Sequence, residues 1–353
     1  MKLHYLLLFL VLGCYGDKTE TDTGNVDTED TDTDTNTDTD TDSDTDTDTD
    51  TDTDTDTDTD TDTDNPEPEE SPADEFLAGL SEIDLTNPEN AKSFAQISAP
   101  NQFALVYVMI MSVELSEDET CPARIGELDP DGNPIGEYVY SGEGCTDVDG
   151  NTWVGTLTLT EDYQYLFDGF GFSGDSDDCP GMTVSQEAHG ALAVDMSTGG
   201  FNVDYLLSGT DLDENCQEMP VGYAVKGSIL TSTQQESDES ETNIWSSDSV
   251  VGFTTGDVSG YANVVTTDEH VNGDQCSSEA LSGQTEISTS TDTVVITYDG
   301  ATDCDEESTV QWSLNGEEQG EMEGVSCATA SQPRNGLVIF AFLLGLFGLR
   351  RKR

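Results

Sequence analysis

The sequence predicts a mainly β protein: a large antiparallel meander sheet or open barrel with one N-terminal apolar helix packed against it. Three observations lead there. From Ile135 onward, short apolar runs alternate with polar residues at period two between Gly, Asp and Asn turns. One earlier segment, Pro100 to Leu115, is apolar on every side. Six cysteines spread through the strand-rich part as loosely recurring pairs, which fits β units in series held by disulfides.

The first fourteen residues, MKLHYLLLFLVLGC, place Lys2 before an apolar run from Leu3 to Leu12 and a small residue before Cys14. Ten apolar residues are too few to cross a hydrocarbon core of about 30 Å, so residues 1–14 read as a signal peptide. The ending Val11-Leu12-Gly13-Cys14 resembles the lipobox of bacterial lipoproteins. That resemblance implies lipidation of Cys14 and a mature chain beginning there.

Residues 15–74 read as a disordered acidic tether. From Thr31 to Asp64 the chain is almost strictly alternating Thr and Asp, with no large apolar residue to offset the entropy of ordering. Like charges about 7 Å apart, inside a Debye length of about 8 Å, extend such a run into a spacer. Condensed calcium or glycosylated threonines are compatible with that role.

Within 75–326, expected as the disulfide-stapled β domain, Pro100 to Leu115 is expected to be a buried helix starting near Ser98, with a long core strand as the alternative. In TWVGTLTLT, Trp153, Leu157 and Leu159 face one way and Thr156, Thr158 and Thr160 the other. In FNVDYLLS, Phe201, Val203, Tyr205 and Leu207 form the inward set. Comparable runs at 221–230, 258–266, 293–298 and 309–314 bring the count to about eleven candidate strands.

Of eight cysteines, Cys14 and Cys327 belong to the two ends, which leaves Cys121, Cys145, Cys179, Cys216, Cys276 and Cys304. An even number in an exported chain predicts three disulfides. Meanders keep sequence neighbours close, so the expected pairing is sequential: Cys121 with Cys145, Cys179 with Cys216 and Cys276 with Cys304. No Cys-x-x-Cys spacing supports zinc.

The last segment, 327–353, sets Cys327 among small residues before an apolar stretch from Gly336 to Leu349 and a terminus of Arg350, Arg351, Lys352 and Arg353. It resembles the MYXO-CTERM class of C-terminal sorting signals. The resemblance implies processing or anchoring near Cys327, with the basic cluster left cytoplasmic.

Charge narrows the partners. Of 75 acidic residues, 22 lie between Asp17 and Asp64, which leaves 53 downstream; against Lys92, Arg124 and Lys226 the folded part carries a charge near −50. Such a surface repels nucleic acid and anionic headgroups. The expected partners are the membrane, through the lipid anchor and the C-terminal tail, and a protein or glycan.

Catalytic signals are sparse. His4 lies in the signal peptide, while His189 and His270 have no triad partner in sequence, and no Gly-x-Ser-x-Gly or His-Glu-x-x-His occurs. Two Asp-x-Asp-Gly-Asn motifs recur, one with Asp129, Asp131 and Asn133, the other with Asp147, Asp149 and Asn151. Oxygen side chains at alternate positions around a glycine resemble the opening of calcium loops, whereas Asp-Gly also favours a hairpin turn. Calcium is the one cofactor this pattern suggests, with the two motifs acting as a pair. The expected function is a surface-anchored, non-catalytic binding or structural module at the cell envelope, on the outer membrane or cell surface. The alternatives are a secreted acidic hydrolase and a carrier enclosing an apolar ligand in an open barrel.

Overall fold

Alternation of apolar and polar residues produces one antiparallel sheet of fourteen strands among the described residues. The computed structural model describes residues 70–97, 99–114, 120–130, 133–176, 179–213, 215–235, 241–256, 258–272, 280–300, 309–323 and 325. The strands are β1 Ala123–Leu128, β2 Pro134–Ser141, β3 Cys145–Thr146, β4 Thr152–Leu159, β5 Gln164–Asp175, β6 Thr183–Asp195 and β7 Gly200–Leu212. They continue with β8 Glu218–Gln235, β9 Glu241–Thr255, β10 Val258–Val271, β11 Ser282–Ser288, β12 Thr293–Thr297, β13 Thr309–Leu314 and β14 Glu317–Glu323. Apart from β3, which pairs with β4, every strand lies beside its sequence neighbours, so the sheet is a meander. It is open, with β1 at one end and β14 at the other.

The longest strands, β6 to β10, form the middle of the sheet. Phe201, Val203, Tyr205 and Leu207 on β7 are all buried, as are Trp153, Leu157 and Leu159 on β4. The strand register places Tyr205 beside Val225 and Leu207 beside Tyr223, which builds one continuous apolar inner face.

Among the described residues three helices precede the sheet: α1 Pro72–Ala78, α2 Pro88–Ala95 and α3 Ala99–Glu114. The third is the expected apolar helix. Phe103, Leu105, Val106, Met109, Ile110 and Val113 are buried in one core with the inner face. Phe103 is the anchor: its ring lies 4.4 Å from Phe201, 4.9 Å from Tyr107 and 5.8 Å from Trp245. No single helix among the described residues is long and apolar enough to cross a membrane.

A polar hub fixes where α3 sits. Gln102, fully buried, accepts a hydrogen bond from Ser249 Oγ at 2.8 Å, and its backbone oxygen accepts one from Tyr205 Oη at 2.5 Å. Its amide nitrogen donates to the Ile97 carbonyl at 3.2 Å and to Ser247 Oγ at 3.4 Å. Greasy packing alone would let a helix slide; these bonds set one register, because breaking any leaves a buried polar group unmet.

The two shorter helices differ from the expected single helix. Ser71 caps α1 in a reciprocal box with Asp74, and Pro72 occupies the first turn. Helix α1 thus starts at Pro72, inside the stretch 15–74 read as tether. Asn87 caps α2 by accepting from the Glu89 amide at 3.1 Å, again with proline next. Strand pairing also starts earlier than the period-two pattern suggested, at Ala123 rather than Ile135.

The helices divide between the two faces. Phe94 of α2 packs 4.7 Å from Phe253, on the inner face with α3. Helix α1 lies on the outer face, where Lys226 Nζ bonds Asp74 of α1 and sits 3.4 Å from Asp204 of β7. Glycines make room for it: a Cβ on Gly222 would fall 2.6 Å from the Phe76 ring, and one on Gly252 would fall 2.5 Å from Leu77. Between the helices the chain passes along β10, where the Ile83 amide donates to the Tyr261 carbonyl and the Tyr261 amide to Ser81. Strand β11 pairs with β10 only from Asn263 onward, so residues 81–83 fill the ladder that β11 leaves open.

Candidate functional site

Among the described residues two disulfides lock the β-rich region. Cys121, just ahead of β1, joins Cys145 at the start of β3, and Cys179 joins Cys216 across the β5–β6 and β7–β8 connections. These are sequential pairs, and they point to an oxidising compartment outside the cytoplasm. The second closes a small satellite core of Cys179, Val184 and Leu212. Cys14, Cys276, Cys304 and Cys327 lie outside the described residues.

The two acidic motifs form hairpin loops of one design. In the first, Asp129 accepts from the Asn133 amide at 2.8 Å and from its Nδ2 at 3.0 Å. In the second, the Asp147 carboxylate accepts four bonds: from the backbone amides of Asp149 and Asn151, from Asn151 Nδ2 and from Trp153 Nε1. That carboxylate therefore ties the loop to the buried Trp153, itself packed on Phe170 and Phe172. Asp131 lies outside the described residues.

The register shows that the two loops do not meet. Strands β2 and β4 pair from Tyr138 opposite Leu159 to Ser141 opposite Thr156. The Asp129 loop precedes Pro134 and the Asp147 loop precedes Thr152, so they close opposite ends of this ladder, on the order of 30 Å apart at about 3.3 Å per residue. One ion cannot bridge them. Among the described residues no group of three or more His, Cys, Asp or Glu side chains converges as a metal site.

His189 lies on β6 with its Nε2 3.9 Å from Glu187, both side chains partly exposed. Glu269 is the one carboxylate residue buried among the described residues, at 1 % exposure. Near the end of α3, burial pushes the phenols of Tyr107, Tyr140 and Tyr165 upward, and the negative charge of Glu114 pushes the same way. All three stay protonated and packed.

The exposed feature that sequence reasoning missed is the β1–β2 end of the sheet. Ile125, Leu128 and Ile135 are 58 %, 45 % and 55 % exposed. Strand β2 meets β4 only over Tyr138 to Ser141, so the β1–β2 hairpin beyond that point projects as a two-stranded arm. Its bend has a local cause: Ile125 pairs with Val139 and Glu127 with Ile135, so three residues of β2 oppose Gly126 alone. Gly126 has a φ of 126° and a Cβ there would meet the Glu137 carbonyl at 2.6 Å, so only glycine fits. The arm is pinned at its base by the Gly136 amide, which donates to Glu161 Oε1 at 2.6 Å.

From this arm a cross-strand row runs over the outer face: Ile125 beside Val139, then the polar Thr158, then Leu166. The opposite end of the sheet is built differently. Strand β14 reads EEQGEME and is exposed except at Met322, so a comb of glutamates guards it. The signal for the contrast is present in sequence, in ARIGEL against EEQGEME, but only strand order reveals that both are edges.

Comparison with protein-family models, with curated proteins and with solved structures finds no match to this chain.

Proposed function

We propose that the protein is a non-catalytic binding or structural module displayed at a bacterial cell envelope, lipid-anchored at Cys14 and held out on its acidic spacer. The observation that carries this reading is how the curved sheet is occupied. Its inner face is filled by the chain's own α2 and α3 and locked through Gln102, which leaves the part of the outer face beyond α1 and the β1 edge to meet a partner. The disulfides accord with export, and the charge near −50 accords with a surface kept soluble and extended away from anionic headgroups.

Intact mass measurement on protein from envelope fractions tests the reading. The expected result is a mature chain starting at Cys14 and carrying lipid mass. A protein recovered from cytosol with reduced thiols and no lipid would overturn it.

The carrier reading draws on a separate observation. The hydroxyls of Tyr107 and Tyr223 are buried without a hydrogen-bond partner among the described residues, in the core that lines the inner face. A carrier purified from its host retains an apolar ligand detectable by extraction and mass spectrometry, whereas a filled module yields none.

A further inference from the structure

We infer that the β1 edge is a strand-addition site for a partner protein whose docking segment is extended and carries both apolar and basic side chains. The inference rests on the binding-module reading and names the partner class for it.

Four observations converge on this end of the sheet. First, β1 has a strand neighbour on one side only among the described residues, and an end strand of a sheet is where an extended segment can add. Second, the arm holds Ile125, Leu128 and Ile135 in water, and Val139 lies beside Ile125 on the outer face, with Leu166 two strands further on beyond Thr158. Third, β14, the other edge, exposes Glu317, Glu318, Glu321 and Glu323 but no large apolar side chain, since Met322 is buried, so a strand added there would meet charge alone. Fourth, the arm is acidic at its margins, with Glu127, Glu137 and Glu161 exposed.

Charge decides which occupant fits. A second copy pairing β1 with β1 would set Glu127 and two domains near −50 against each other, and an anionic bilayer is repelled in the same way. A basic segment is attracted instead. Ile125 and Glu127 are both exposed and lie two residues apart on β1, so the incoming strand meets an apolar and an acidic side chain close together and should carry an apolar and a basic one.

The test uses the full-length protein with its disulfides intact and a blocked, fluorescein-labelled peptide of three Val-Thr-Lys-Thr repeats. Two control peptides replace every Lys by Glu or every Val by Ser. The expected result is saturable binding of the first peptide, with both controls at least tenfold weaker. Ile125→Ser combined with Ile135→Ser should weaken binding at least tenfold, while Glu321→Gln on β14 leaves it within twofold. Both isoleucines are exposed, so the double variant keeps its fold. As a readout on the unaltered chain, peptide should slow hydrogen exchange in residues 123–128 and leave 317–323 unchanged. Equal binding of the Val-to-Ser control reduces the interaction to charge alone and overturns the proposal. Sedimentation of the protein as a dimer that the double variant abolishes also overturns it, assigning the edge to a second copy. Failure of the peptide test leaves lipid anchoring at Cys14 intact, and absence of lipid leaves the peptide result intact, so the two readings fail separately.

Discussion

The two faces of the sheet are covered by helices of opposite kinds. On the inner face α3 contributes an apolar side chain at nearly every position and a buried polar hub at Gln102. On the outer face α1 has seven residues, leans on glycines at Gly222 and Gly252, and is held by Lys226 between Asp74 and Asp204. Burial on the inner face is a property of the whole fold. On the outer face attachment is local, so the same size of chemical change has a different reach on each side.

The largest effect is expected from Phe103→Ala, which empties the centre of the inner core and should cost about 3–5 kcal/mol in chemical denaturation. A loss confined to residues near α3, with the sheet's exchange protection unaltered, would break the contrast. Reducing the Cys179–Cys216 bridge, which spans 37 residues, removes about 4 kcal/mol in the chain-entropy account. Gln102→Leu keeps the volume but takes Gln102 away from Ser247 and leaves Ser249 with its 3.3 Å bond to the Val264 carbonyl, for a loss of about 1–3 kcal/mol.

Gly252→Val should act on the outer face alone. Its side chain displaces Leu77 and Leu80, so proteolysis or hydrogen exchange should open residues 70–80 while the denaturation midpoint of the sheet moves little. The smallest effect is expected from Lys226→Met: the ammonium is 41 % exposed, and solvent screening holds its worth to about 1 kcal/mol or less.

The same clasp has a pH signature. The hydrogen bond from Lys226 holds the Asp74 carboxyl below its usual 3.8, so its contribution is complete above that value and is lost as pH falls through the lowered one. The bond to Asp74 likewise raises Lys226 above 10.5, so its contribution is complete below 10.5 and is lost as pH climbs past the raised value. Exchange protection of α1 should therefore be flat between about pH 4 and 10.5 and fall on both sides, with Lys226→Met removing the alkaline limb and shrinking the acid one, because Ser71 still bonds the Asp74 carboxylate.

How much of this was legible depended on the reach of each signal. The meander, the inward sets on β4 and β7 and the apolar helix follow from periodicity, because a buried face must repeat every second or third to fourth residue. Helices α1 and α2 escaped that reading: seven or eight residues give no clear period, and their signals were the caps Ser71-Pro72-Ala73-Asp74 and Asn87-Pro88. Strand β1 was hidden because ARIGEL does not alternate once Gly126 bends it. The division of helices between faces could not be read at all. It depends on residues 81–83 pairing beside Tyr261, some 180 positions away, and no local pattern encodes such a crossing.

That crossing also sets how the domain would respond to tension. A pull on the N-terminal side of residue 70 loads α1 first and then the two backbone bonds at Tyr261, before any strain reaches α2 or α3. The load enters the sheet at β10, and the buried helix lies behind that junction. A pull applied at residue 70 is thus borne by α1 and β10 while the buried helices stay seated.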